Sequence, residues 1–241
     1  LSENNQLEDF IAVSPFNYEE NCILYIPGDL PKTPMGSEME AKCLAEQICR
    51  LGDATHGHTL VLFTSYTLMG SVYQILRDSL PFPMVEVWRH SQEEILRFKT
   101  MENGVLFAAG SCWEGVDFPG DMVSSLIIVK LPFAVPDPIS EAEKETYESL
   151  EAYIQSIIVP DMQKKLRQGF GRAIRTETDT CVVSILDIRA VKGGKYHEDV
   201  MCALPSCRIA EELKEVQDFI RSRKGVEYYL SLIHISEPTR H

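Results

Sequence analysis

Short apolar runs recur along the chain, each closed by glycine, proline or a cluster of polar residues. Residues 22–26 (Cys-Ile-Leu-Tyr-Ile) and 59–63 (Thr-Leu-Val-Leu-Phe) read as buried strands, because a strand covered on both faces loses the polar alternation of a half-exposed one. Residues 84–88, 104–110, 125–131 and 180–186 repeat that signal. Between them, apolar positions spaced three and four apart predict helices over 37–51, 67–80 and 92–101, and Ser37 with Glu40 fits a capping box at the first. Further on, the pattern predicts a long helical region over 140–158, a basic helix closed by residues 168–175, and a helix from Cys207 to about Arg223. Strands alternating with helices predict an α/β fold: a mainly parallel sheet with helices on both faces.

The segment Gln168-Gly-Phe-Gly-Arg-Ala-Ile-Arg175 carries the densest chemistry. At roughly 100° per residue, Gln168, Arg172 and Arg175 share one helix face, with Leu166, Phe170 and Ile174 nearly opposite. Two guanidiniums held on one side suit a polyphosphate, since each forks onto phosphate oxygens and keeps its charge at any working pH. Gly169 and Gly171 each weaken a helix by roughly 1 kcal/mol relative to alanine, which is reasonable where another backbone or a ligand approaches closely. An ordinary amphipathic helix with two surface arginines would read the same way. A second candidate follows the 104–110 strand: Ser111-Cys-Trp-Glu-Gly-Val-Asp-Phe-Pro-Gly120, a turn-rich loop with two carboxylates. Loops at the carboxyl ends of parallel strands are where open α/β sheets bind ligands.

Four pieces in order resemble one family. Phe63-Thr-Ser-Tyr66, Ser111-x-Trp-Glu-Gly-Val-Asp-Phe-x-Gly120, Lys130-Leu-Pro-Phe-x-x-Pro136 and Gln168-Gly-Phe-Gly-Arg-x-Ile-Arg175 resemble motifs IV, V, its trailing extension and VI of the DinG/XPD-like superfamily 2 helicases. Leu186-Asp-x-Arg189 and Ala203-Leu-Pro205 resemble that family's closing signatures. The resemblance implies the second RecA-like domain, of P-loop-NTPase type, in a motor built from two such domains. It implies that Arg172 and Arg175 reach the γ-phosphate of ATP and that Gln168 touches the nucleotide edge or the attacking water. Glu114, Gly115 and Asp117 would line the cleft and couple it to the strand-binding surface, although a Glu-Gly-Val-Asp turn is also a common connector. Thr64 and Ser65, with Ser111, would meet a phosphate of single-stranded DNA. Trp113 either stacks a base or packs in the core.

The family's first domain carries a Gly-x-Gly-Lys-Thr phosphate loop and an Asp-Glu-x-His magnesium box, and neither pattern occurs in these residues. ATP and Mg are therefore expected mainly on that absent domain, the second expected partner beside single-stranded DNA. An iron–sulfur cluster, where the protein has one, would lie in the absent half too. The expected unit is residues 1–228, with 229–241 a non-native tail: Ser231-Leu-Ile-His-Ile-Ser-Glu-Pro-Thr-Arg-His241 does not continue the helical pattern.

Composition narrows the rest. Seven cysteines form no Cys-x-x-Cys pair, which argues against a disulfide framework or a metal site and for a reduced, cytoplasmic setting. No apolar run approaches the roughly 20 residues a membrane helix needs. A net charge of −13 is unusual for a nucleic-acid protein, and it keeps open a non-catalytic nucleic-acid or partner-binding module, beside a doubly wound metabolic enzyme. Residues 161–175 run against that balance, with Lys164, Lys165, Arg167, Arg172 and Arg175 against Asp161 alone. Local sign governs phosphate binding, because at physiological salt a charge is screened over roughly 8 Å.

Overall fold

In the computed structural model, which describes residues 16–88, 92–113, 116–135 and 137–230, seven strands form one sheet. They are β1 (Cys22–Tyr25), β2 (Thr59–Phe63), β3 (Met84–Val87), β4 (Val105–Ala109), β5 (Ser125–Ile128), β6 (Cys181–Ile185) and β7 (Arg208–Ala210). Their order is β3-β4-β2-β5-β6-β1-β7, with every neighbouring pair parallel. The helices are α1 (Tyr18–Asn21), α2 (Glu38–Thr55), α3 (Tyr66–Leu76), α4 (Gln92–Lys99), α5 (Pro138–Lys144), α6 (Leu150–Tyr153), α7 (Val159–Phe170), α8 (His197–Ala203), α9 (Leu213–Arg223) and α10 (Glu227–Leu230).

The continuous apolar runs have the expected cause. Every residue of β1, β2, β4, β5 and β6 is buried, because helices cover both faces. Leu60, Leu62, Leu126 and Ile128 face α7, where they meet Met162, Leu166 and Phe170. Val61, Phe63, Phe107 and Ile127 face the opposite layer, built on Leu44, Ile48 and Leu51 of α2, Val72 of α3 and Val216 of α9. The edge strands differ: β3 alternates in burial, and β7 exposes Arg208 and Ile209.

At the start of α2, Ser37 accepts the Glu40 amide at 3.1 Å. The reciprocal half of the predicted box is displaced by one residue, since the Glu40 carboxylate accepts from Gly36 N–H at 2.7 Å. Its other oxygen pairs with Lys130, just past β5, so the cap ties α2 to a loop at the carboxyl edge of the sheet.

Two expected helices are redrawn. The 140–158 region is broken: α5 stops at Lys144, and Ser149 restarts the chain by accepting the Ala152 amide at 3.1 Å. Glu141 and Glu145, one turn apart, repel rather than support the helix, as do Glu145 and Glu148. The new helix then contains a π segment, Ile154–Ile158, immediately before Pro160. Proline has no N–H for the carbonyl four residues back, and a π turn accommodates that missing bond. The region from Cys207 begins as β7 and becomes helical only at Leu213.

The described fold runs through Leu230, since Tyr228 stacks on His58 and Tyr229 packs edge-on against His56. Residues 231–241, most of the segment read as a non-native tail, lie outside the described residues.

Candidate functional site

Three of the four motif segments leave the carboxyl ends of strands, and the fourth, after α7, leads into the amino end of β6. β2 delivers Thr64 and Ser65, β4 the 110–120 loop, β5 the 129–135 segment, and the turn after α7 delivers the arginines. Gly110 opens the second loop with φ +62°, and a Cβ there would sit 2.7 Å from the Tyr66 hydroxyl. Two aromatics pin that loop at either end. Phe118 is 2% exposed and meets Phe98 edge-on at 5.4 Å. Trp113 is 7% exposed, and its indole N–H donates to the Phe63 carbonyl at 3.0 Å. Its ring lies so close to Gly169 that an added Cβ would come within 2.8 Å. The glycine expected to admit a close neighbour admits this tryptophan. Of the two readings of Trp113, packing is the one the geometry adopts, and little of its face remains to stack a base.

The helix bearing Gln168 ends at Phe170, earlier than expected. Gly171, Arg172 and Ala173 form a tight turn through bonds from Arg172 N–H to Gly169 and from Ala173 N–H to Phe170, both at 2.9 Å. Arg175 therefore stands past the helix rather than on its face, while Leu166, Phe170 and Ile174 are buried as expected. The arginines nevertheless converge. Arg172 donates to the Val116 carbonyl at 2.6 Å, Arg175 donates to the same carbonyl at 2.9 Å, and Arg175 also pairs with the Asp117 carboxylate. Buried Asp179 holds this turn in place by accepting from the Arg175 and Thr176 amides, both at 2.9 Å, and from the Thr176 hydroxyl at 2.7 Å. Asp179 lay outside the expected set; its signal was a carboxylate three residues beyond Thr176 in a turn.

Asp117 is the weak partner in this arrangement. Its side chain is 69% exposed, against 23% for Arg175, and exposed ion pairs contribute roughly 0–1 kcal/mol. Glu114 and Gly115, expected beside it, lie outside the described residues. So does the side chain of Ser111, whose backbone forms a 3₁₀ turn over Gly110–Trp113.

Thr64 is exposed on a groove with Gly110, Pro132, Phe133 and Lys165, and the edge of Trp113 forms its floor. Lys165 and Phe133 were not among the expected site residues, although Lys165 falls in the basic segment. Ser65 has a structural duty as the N-cap of α3, its hydroxyl oxygen accepting the Leu68 amide at 3.4 Å. Its O–H proton is still available to donate. Beside the groove, Asp187 accepts from the Leu131 amide at 2.9 Å and from the Arg189 side chain, which lies over the Phe133 ring. Burial alone would raise the Asp187 carboxyl. The Arg189 and backbone hydrogen bonds outweigh it and hold the group below the usual carboxylate range.

The donor sets suit phosphate: two guanidiniums in the turn after α7, and an ammonium and hydroxyls on the groove at the carboxyl edge of the sheet. Among the described residues, no group of three or more His, Cys, Asp or Glu is placed to hold a metal ion. No helix among them is long and apolar enough to cross a membrane.

Comparison with known proteins agrees with this geometry. Residues 48–207 match the family described as helicase C-terminal domain. The chain is 34% identical over 216 residues to the ATP-dependent DNA helicase YoaA of Haemophilus influenzae, covering 88% of this chain and 33% of that protein. It is 36% identical over 211 residues to the ATP-dependent DNA helicase DinG of Photobacterium profundum, covering 81% of this chain and 29% of the relative. The chain thus spans about a third of these relatives. Among solved structures, one titled XPD helicase superposes with a TM-score of 0.61 at 21% identity, over 79% of this chain and 36% of that one. A Dbp5 structure from S. cerevisiae, bound to RNA and ADP BeF3, superposes with a TM-score of 0.52 at 14% identity, over 85% of this chain and 45% of that one. Ordered motifs, a parallel RecA-like sheet and the family match lead to one assignment: the chain belongs to the helicase C-terminal domain family, as found in DinG/XPD-like superfamily 2 helicases.

Proposed function

We propose that residues 1–228 form the second RecA-like domain of an ATP-dependent, cytoplasmic DNA helicase, supplying Arg172 and Arg175 to ATP held by a first domain. The observation that carries this reading is the convergence of both guanidiniums on the Val116 carbonyl and Asp117. A backbone carbonyl and an exposed carboxylate are modest partners. A γ-phosphate brought across the domain cleft offers concentrated charge and oxygens that accept forked bonds, so the arginines exchange partners when ATP arrives. Gln168, one turn earlier, orients the attacking water or the nucleotide edge. Magnesium, held by the first domain, would neutralise phosphate charge there. Positioned arginines of this kind are worth roughly 10³–10⁵ in turnover.

The exchange also supplies a route to DNA. When the arginines leave Val116, the loop 113–118 loses two restraints, and Trp113 transmits the change through its bond to Phe63 at the end of β2. Thr64 and Ser65 follow directly, and with Lys165 they meet phosphates of single-stranded DNA.

The test uses a protein carrying both RecA-like domains. Arg172→Ala and Arg175→Ala each lower ATPase turnover by at least about 10²-fold while leaving nucleotide-free single-stranded DNA affinity unchanged, and lysine at either position rescues poorly. Normal turnover with weakened DNA binding in both variants would move the arginines to the DNA track and overturn the assignment.

A further inference from the structure

Three cysteines lie abreast across three neighbouring strands. β1 pairs with β6 so that Cys22 is opposite Cys181, and with β7 so that Ile23 is opposite Arg208. One step back along that second ladder, Cys22 is level with Cys207. Positions in register on parallel strands point to the same face, and all three cysteines belong to the core layer under α7. Adjacent strands run about 4.8 Å apart, inside the roughly 4.4–6.8 Å Cα separation that a disulfide accepts. Cys207 packs against the same core layer as Cys22. Cys22 and Cys181 are fully buried, whereas Cys207 is half-buried on the edge strand's approach.

We propose that Cys22 and Cys207 are a peroxide-oxidisable pair, whose disulfide reversibly staples edge strand β7 to β1. The pair lies at the amino-terminal edge of the sheet, the edge opposite the Thr64 groove.

The two thiols have distinct roles. Each thiol shifts the other: Cys22 lowers the pKa of Cys207, against opposing effects of burial and Glu19, while Cys207 and then burial raise Cys22. Cys207, the more exposed and the more readily ionised of the two, is the attacking thiol and Cys22 the resolving one. Cys207 sulfur attacks one oxygen of hydrogen peroxide and the O–O bond breaks. Cys207 becomes a sulfenic acid, and the departing hydroxide takes a solvent proton to give water. Cys22 sulfur then attacks the Cys207 sulfur, so that the S–S bond forms and the S–O bond breaks. The second hydroxide leaves with the Cys22 proton as water. Two thiols lose two electrons in all, and one peroxide is reduced to two waters. Cys181, pushed up to about 12 chiefly by burial, stays a thiol.

The experiment treats the whole chain with a small excess of hydrogen peroxide, alkylates the remaining thiols, and maps cross-linked peptides by mass spectrometry without reduction. The expected result is a Cys22–Cys207 peptide pair, and a thermal midpoint raised by about 5–10 °C and restored by dithiothreitol, the scale of closing a long loop in a domain of this size. Cys202→Ser, which removes an exposed cysteine, leaves both readouts intact, and Cys207→Ser abolishes both. Should Cys207→Ser fold poorly, the wild-type peptide map alone decides. A Cys22–Cys181 link, or oxidation confined to Cys202 with Cys22 and Cys207 still alkylated, overturns the proposal.

Discussion

Trp113 shows how one side chain can serve fold and site together. Its indole N–H needs an acceptor once buried and finds the Phe63 carbonyl, while its ring fills the space that Gly169 leaves open. Gly169→Ala would drive a methyl to 2.8 Å from that ring, so the expected outcome is a loss of about 1–3 kcal/mol in denaturant unfolding, the usual scale of overpacking. Trp113→Leu in the same chain relieves the clash, and the double variant is then less destabilised than the two single losses summed. Strict additivity would show that ring and glycine do not press on each other. The sequence marked Gly169 as a place of close approach but could not say what approaches. The tryptophan comes from a loop more than fifty positions away, and only the tertiary path of the chain brings the two together. The arginines were legible in another sense: their identities were in the motif, while their presentation was not. A helix face was expected, yet a turn after Phe170, held by Asp179, aims them.

Elements were legible in proportion to how far their own residues decide them. The five central strands announced themselves because burial on both faces favours apolar residues at nearly every position, the exceptions being the small hydroxyls of Thr59, Ser125 and Ser184. β7 did not, because three residues with exposed Arg208 and Ile209 form a strand only by adding to the edge of β1. The π segment before Pro160 and the break at Ser149 were hidden by strong helical periodicity on either side. The contact of α10 was invisible for the same tertiary reason, and it carries a prediction. Tyr228 of α10 stacks on His58 with ring centroids 4.2 Å apart, and its hydroxyl donates to the Thr55 carbonyl at 2.6 Å. Burial lowers the His58 pKa to about 4, against small raising effects from Tyr228 and Asp121 and a lowering one from Lys224. A histidine in the unfolded chain titrates near 6.5. Above that pH both states hold the ring neutral and stability is complete. As pH falls from about 6.5 towards 4 the unfolded chain takes the proton that the native ring refuses, and about 2–4 kcal/mol of stability is lost across that window. His58→Phe keeps a ring against Tyr228 and removes the titration, so its denaturant midpoint should fall less than the wild type's between pH 7.5 and 4.5. Parallel declines would place the acid sensitivity elsewhere.

For the whole molecule, the sign of the charge and the placement of the motifs point the same way. A chain of net charge −13 disfavours DNA as a whole, and its phosphate-suited groups lie in two places: Arg172 and Arg175 in the turn after α7, and Lys165 and Thr64 on the groove at the carboxyl edge of the sheet. These groups provide cations for a phosphate arriving from outside. No Gly-x-Gly-Lys-Thr or Asp-Glu-x-His pattern occurs in the sequence to cradle a β-phosphate or hold magnesium. Arginines aimed at a γ-phosphate accelerate hydrolysis only when something else has fixed that phosphate in line with water, since the effect is transition-state stabilisation and not capture. The expected outcome is that this chain, purified alone, releases no phosphate from ATP above the buffer blank, with or without single-stranded DNA. Arg172→Ala is the control that gives the measurement its meaning: a contaminating ATPase would persist unchanged in the variant, whereas turnover by the chain's own site would fall. Turnover that survives purification and disappears in Arg172→Ala would show a complete nucleotide site within this single sheet, and the reading of the domain as half of a two-domain motor would have to be abandoned.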